Sequence, residues 1–308
     1  MTSLSAPIPT GLRRFRLRLI VVMMGLVCAI TALGLYFAQR NLAATVQNEL
    51  RIEFQSGLDA LHGVQDLRHA ALAELCRNLV RKPRIHAALE DDALDLLYPI
   101  AKDELRDVMT PGDPLPSKQA LQGVFYRFLD RKGAVISPPD GLDVGALRPD
   151  EEAQLGLRGL PREQQIGYIL RKASGALEEM AEVIAMPIVS TDTDEAIAAL
   201  AIGFKPIEPG NHRAEKGIRS GIWLSGRLHF PSLPQPAQAA LGSEVSRVLL
   251  TPDRADSSIP VQVDGAAHLL FYTQLNPNSL FPPAYEVSIY PLSALLAQQR
   301  QLRQHVAH

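Results

Sequence analysis

Two cysteines among 308 residues leave little room for cysteine chemistry. Cys28 lies inside a long uncharged run and Cys76 is the only one beyond it, so an intrachain disulfide outside that run and a cysteine metal cluster are both excluded. Cys76 then reads as a buried small hydrophobe or a point of pairing between subunits. The eight histidines form no His-Glu-x-x-His motif. His62 and His69 stand two helical turns apart, too far to share one ion. Calcium-loop spacing is missing around Asp192, Asp194 and Glu195, which read as a hairpin tip. Neither a Gly-x-Ser-x-Gly elbow nor a phosphate-cradling glycine loop is present. No catalytic residue, metal ligand or cofactor site is assigned, and an exported hydrolase lacks a supporting pattern.

Acidic residues are missing altogether from residues 1–40, which hold five of the 31 Lys+Arg and none of the 33 Asp+Glu. The remainder therefore carries 26 basic against 33 acidic residues, a net charge of −7, which argues against nucleic acid as a partner. Within the first forty residues, Leu19 to Ala38 is a run of twenty without a charge. As a helix rising about 1.5 Å per residue it would cover the roughly 30 Å hydrocarbon core of a bilayer. Arg13, Arg14, Arg16 and Arg18 precede it and Arg40 follows it, so residues 1–18 are expected to be a cytoplasmic tail and the bulk of the chain to be exported. A cleavable signal peptide shares the basic start, but its apolar core is shorter, about 7–15 residues. An uncleaved single-pass anchor over 19–38 in the cytoplasmic membrane is the better reading.

Beyond the run, Leu42, Val46, Leu50, Phe54, Leu58, Leu61, Val64, Leu67, Ala71 and Leu75 follow at steps of three and four. That spacing predicts an amphipathic helix of some forty residues ending at Pro83. Its stripe has two possible partners, a second subunit near the membrane and the chain's own sheet further out. A second helical stretch is expected from Ile85 to Met109, with the acidic run Glu90-Asp91-Asp92 placed early in it, near the positive end of the helix dipole. Then the period becomes strand-like. Strands are expected over Gly123–Asp130, Ala134–Ser137 and Gln165–Lys172, and over a long hairpin Met180–Thr191 and Glu195–Phe204. A polar excursion from Pro138 to about Glu163 interrupts them. The series then repeats. Gly221-Ile-Trp-Leu-Ser-Gly-Arg-Leu-His-Phe-Pro231 matches Phe125-Tyr-Arg-Phe-Leu-Asp-Arg-Lys-Gly-Ala-Val-Ile-Ser-Pro138 as strand, Gly turn, strand, Pro. A helix over Pro236–Leu250, strands near Ile259–Val263, Ala267–Leu275 and Ala284–Tyr290, and a final helix over 292–308 complete the pattern. The fold class is α+β: two copies of one antiparallel unit, over 41–210 and 211–291.

These features together resemble the double Cache sensor domains of bacterial membrane receptors. The likeness is carried by the basic-flanked membrane run, the long helix, FYRFLDRKGAVISP, VIAMPIVSTDTDEAIAALAIGF and the second, smaller copy, and covers roughly residues 19–305. The resemblance implies a PAS-like sheet in each module and a small-molecule pocket in the membrane-distal one, residues 41–210. It also implies a homodimer whose helices relay binding through the membrane. Receptors of this kind continue into a cytoplasmic signalling module, and none is recognisable here, so the output is expected from a separate signalling protein. The Arg-x-Trp pattern of amino-acid-binding members is missing too; Arg219 and Trp223 stand at another spacing.

Polar residues inside the first module's apolar strands are the candidate ligand contacts: Tyr126, Arg127, Tyr168 and Arg171. An Arg within a strand lies on a solvated face or aims at an acid or a ligand carboxylate. Strand alternation sets Tyr126 opposite Arg127 and Tyr168 opposite Arg171, so the arginines or the tyrosines line the pocket, not all four. An anionic ligand would favour the arginines. The chain therefore reads as a membrane-anchored, extracytoplasmic small-molecule sensor. An exported structural or assembly protein, recruiting a partner through its long helix, is the alternative.

Overall fold

The structure, a computed structural model, describes residues 21–31, 33, 52, 56, 59, 62–110, 121–172, 178–206, 217–251 and 259–293. The chain divides into two compact units, Met1–Leu61 and His62–His308. In the first, residues 21–31 are helical and expose Val21, Val22, Met23, Met24, Leu26, Val27 and Ile30. Among the described residues no helix is long and apolar enough to cross a membrane. The stripe Leu42, Val46, Leu50, Phe54 and the helix expected after Ser293 lie outside the described residues.

The second unit opens with a helix over 62–80, α1, which turns Arg68, Leu72, Cys76, Leu79 and Val80 into the core. Burying each large aliphatic side chain there contributes about 1.5–3 kcal/mol. The expected stripe is therefore split. Val64, Leu67 and Ala71 face outward, and the packed face lies one residue round the helix.

Pro83 ends α1 as expected and starts a new helix. The stretch expected as one helix is three: α2 (Pro83–Glu90), α3 (Leu94–Glu104) and α4 (Arg106–Met109). The break falls at the acidic run, where Asp92 takes a left-handed φ of 53°. Glu90 is thus the last residue of a helix rather than an early one, and its carboxylate serves another purpose. Its Oε1 accepts from the Ser190 hydroxyl (3.1 Å), the Thr191 amide (3.1 Å) and the Thr191 hydroxyl (3.2 Å), fastening the hairpin tip. Those bonds hold the Glu90 carboxyl below the usual carboxylate range.

Ten antiparallel strands follow: β1 (Gly123–Leu129), β2 (Val135–Ile136), β3 (Gln165–Lys172), β4 (Glu178–Val189), β5 (Ala196–Phe204), β6 (Arg219–Leu224), β7 (Arg227–His229), β8 (Ile259–Val263), β9 (Ala266–Gln274) and β10 (Ala284–Pro291). They form two sheets in one and the same order, β2-β1-β5-β4-β3 and β7-β6-β10-β9-β8. The repeated sequence series is thus a repeated topology, and the fold is an α+β pair of PAS-like modules with curled sheets. Ser225 and Gly226 (φ 49° and 82°) turn β6 into β7, and Asp264 and Gly265 (φ 50° and 75°) turn β8 into β9. Both are pairs of left-handed residues, whose twist suits two-residue hairpins.

Each sheet has one face covered by the segment between its second and third strands. In the second module that cover is α6 (Gln235–Leu249), whose Ala237, Leu241, Val245 and Val248 pack on Leu270, Val287 and Ile289. In the first it is the excursion from Pro138, which holds only a short helix, α5 (Pro149–Glu152), and a 3₁₀ turn (Ala153–Leu155). The other face of the first sheet receives α1 to α4 through Tyr98, Tyr126, Phe128, Ile184, Leu200 and Ile202.

Candidate functional site

The face of the first sheet beneath the excursion is built on small residues. Cross-strand neighbours point to the same side of a sheet. One row therefore runs Arg127–Ala201–Ala185–Gln165 across β1, β5, β4 and β3, and the next runs Phe125–Gly203–Val183–Gly167. Ala181 and Ala199 extend the same floor, and Leu155 and Leu157 of the excursion close over it. Both glycines admit an aromatic ring. A Cβ on Gly203 would stand 2.1 Å from the Phe125 ring, and one on Gly167 would stand 2.3 Å from the ring of Phe281.

Both arginines singled out from the sequence lie on this face. Arg127 is buried, and all three guanidinium nitrogens have acceptors. Nε bonds to Glu152, Nη1 donates to the Tyr126 (2.8 Å) and Val144 (3.2 Å) carbonyls, and Nη2 donates to Gly145 O (3.1 Å). Arg127 thus aims at an acid, as a buried strand Arg must, and the acid is the protein's own. It ties α5 to β1. Glu151 and Gln154 tie the same segment to edge strand β3. The Lys172 amide donates to Glu151 Oε1 (2.6 Å), and Gln154 bonds both ways with the Leu170 backbone (2.9 Å each).

Arg171 is placed differently. It reaches from edge strand β3 across the curled sheet toward β1, with Cζ 5.3 Å from the Phe125 ring centroid and Nη2 donating to Ala146 O at 3.1 Å. The side chain is half-buried, and its Nε is buried without a hydrogen-bond partner. A charged donor at the rim of an apolar face, with bonding capacity in reserve, suits a carboxylate or another anion.

The tyrosines occupy the other side. Tyr126 packs among Tyr98 and Phe128 against the helices, where burial pushes its phenol well up and its hydroxyl is buried without a partner. Tyr168 lies with Met180, Leu224 and Ala284, joining the first sheet to the second. Alternation thus separates arginines from tyrosines as expected, and the structure gathers Arg127 and Arg171 on the face with the small floor.

Two buried carboxylates escaped the sequence reading. Glu182 on β4 takes Arg68 Nη1 on Oε2 (2.7 Å), while His69 Nε2 stands 2.7 Å from Oε1. Arg68 Nη2 also donates to Lys205 O (2.7 Å). Burial opposes ionisation of Glu182, but the hydrogen bond from His69 and the charge of Arg68 outweigh it and lower its pKa. Glu286 on β10 faces His62 Nε2 at 3.3 Å. The two histidines therefore serve one carboxylate in each module, two turns apart on α1. The signal was available in Ala-Glu182-Val-Ile and Tyr-Glu286-Val-Ser-Ile, each an acid directly followed by apolar strand residues.

No family model matches the chain, and no curated protein matches it. Among solved structures it is similar to the sensor domain of the V. cholerae histidine kinase DctB, at 13% identity over 79% of this chain and 98% of that one, with a TM-score of 0.45. It is also similar to the ligand-binding domain of the Campylobacter jejuni chemoreceptor Tlp3, solved with 4-methylisoleucine (11% identity, 82% and 93% covered, TM-score 0.40). A third is the ligand-binding domain of the Pseudomonas fluorescens chemoreceptor CtaA, solved with L-serine (15% identity, 74% and 99% covered, TM-score 0.34). The likeness is one of fold.

Proposed function

We propose that this chain is a membrane-anchored extracytoplasmic sensor that binds a small anionic molecule on the excursion-covered face of its first sheet. The observation that carries this reading is the pairing of an alanine floor with Arg171, a half-buried cation at the rim whose Nε has no partner. Arg127 shapes the cover rather than meeting the ligand. The reading is of a binding module, with no reaction to catalyse. Thermal unfolding of the full chain in detergent, against small carboxylates added singly, tests it. A ligand at 100 times its Kd adds about 2.7 kcal/mol of stability. Arg171→Gln should abolish that gain, and a gain that survives the substitution would refute the site.

Residues 19–38 are read as the single membrane span, supported by the apolar helical residues 21–31 and the arginines before them. Residues 1–18 are then cytoplasmic. A reporter active only outside the cytoplasm, fused after His308, should be active, and activity of a cytoplasm-only reporter there would reverse the orientation. Val64, Leu67 and Ala71, exposed on α1, belong to the sequence stripe that begins at Leu42 and support a parallel homodimer through the long helix. Single cysteines placed along α1 should crosslink most strongly at those three positions. Uniform crosslinking would argue against a helical seam.

A further inference from the structure

The loop between β9 and β10 belongs to the second module, yet its aromatic residue belongs to the core of the first. Phe281 is 3% exposed and packs with Ile169, Val183 and Ala185 on the face beneath the excursion. Gly167, at the middle of edge strand β3, leaves the space its ring occupies. A glycine inside a strand is a cost that close approach of another group repays.

The rest of the loop is built to hold the ring there. Asn276 is 3% exposed and is bonded through both ends of its amide. Nδ2 donates to Ile166 O (3.2 Å) of the first module and to Pro282 O (3.0 Å) of its own loop, and Oδ1 accepts the Ala284 amide (2.8 Å). Ser279 Oγ donates to the same Ile166 carbonyl (2.7 Å) and accepts the Phe281 amide (3.2 Å). The Leu280 amide donates to Gln165 Oε1 (2.7 Å). These bonds take up the Ile166 carbonyl and the Gln165 side chain at the open edge of β3, beside the point where the ring enters. Asn276 lies two residues past β9 and Ala284 opens β10, so the bonds that seat the ring start beside both strands.

We propose that the β9–β10 loop is a plug, with Phe281 forming a wall of the first module's ligand face, and that its seating couples occupancy of that face to the second module. The inference rests on the ligand reading of the face, but its test does not. Hydrogen–deuterium exchange on the full chain is read without ligand at Ile169 and Val183, at Leu280 and Ala284, and at Val245 and Val248 of α6 as control. Phe281→Ala empties the socket and Phe281→Leu shortens the plug. Exchange at Ile169 and Val183 should rise about tenfold in the first and less in the second, as expected for local opening, with the α6 amides unchanged. In the reverse direction Gly167→Ala puts a methyl into the ring's place. It should raise exchange at Leu280 and Ala284 by a similar factor, and adding Phe281→Ala should return the β3 and β4 amides toward the level of Phe281→Ala alone. Were Phe281→Ala or Phe281→Leu to unfold the chain, the α6 amides would rise too, and Gly167→Ala would then decide. Wild-type rates at Leu280 and Ala284 in Gly167→Ala would overturn the coupling. Failure of every carboxylate to stabilise the wild type would count against the ligand reading alone.

Discussion

The two modules share one strand order and differ in what covers the equivalent face. In the second, a fifteen-residue helix lays Leu241, Val245 and Val248 on Leu270, Val287 and Ile289. Large branched residues from both sides fill that space, and little polar chemistry is left. In the first, the floor is Ala181, Ala185, Ala199, Ala201 and Gly203, and the cover is an irregular segment held by polar ties. Small residues keep the two layers from filling the gap between themselves, so other groups must: Phe125, Phe281 and the two arginines. One topology is thus closed by a helix in one copy and by an irregular, polar-tied cover in the other, and the proposed ligand face is the second of these. A helix that buries its own stripe has nothing left to offer a ligand.

Substitutions can break that contrast, and the largest effect is expected at the first module's buried charge. Glu182→Gln removes the carboxylate charge beside the buried Arg68 guanidinium and should cost about 3–5 kcal/mol in denaturant unfolding. In the second module the helix cover offers a milder change. Ser246→Ala, which removes the acceptor of Trp223 Nε1 at 3.2 Å, should cost about 1 kcal/mol. If the two losses were equal, the modules would not differ as described.

The same carboxylate gives a pH dependence. Its folded pKa lies below that of an ordinary glutamate, so the unfolded chain takes up its proton first on acidification. The stability it contributes is present above that value and is lost as pH falls through the folded pKa. The urea midpoint should therefore drop in acid for the wild type and drop less for Glu182→Gln. Parallel curves would show that another carboxylate sets the acid limit.

Next comes the cover. Arg127→Met removes the ties to Glu152 and to three carbonyls, with a cost of about 1.5–3 kcal/mol, typical of hydrogen bonds to charged groups. It should also raise hydrogen exchange across Pro149–Leu155, while exchange in α6 stays unchanged. Arg171→Gln should be the mildest, under about 1 kcal/mol without ligand, since the group is half-exposed and in no ion pair among the described residues. A loss as large as that of Arg127→Met would make Arg171 structural.

Much of this was legible in the sequence because short-range pattern governs it. β3 spans Gln165–Lys172 as its alternation required, and the strand-turn-strand repeat announced two sheets of one order. The helical region was harder to read. The expected helix breaks at Asp91 and Asp92, where Asp92 turns left-handed, and Glu90 before them bonds to a hairpin 101 residues away. The inward face of α1 was misjudged by one residue because Arg68 does not look like a core residue until Glu182 is placed beside it. Phe281 lay in a Pro-rich loop with no periodicity to recommend it. Its role depends on Gly167, a contact that no local pattern can reveal.

Hydrogen–deuterium exchange of the full chain, with and without its most stabilising carboxylate, decides whether the first module is the sensing one. Protection should appear in β3 to β5 and across Pro149–Leu155, extend to Leu280 and Ala284, and be absent from Gln235–Leu249. Protection centred on Gln235–Leu249, with the first sheet unchanged, would contradict the account.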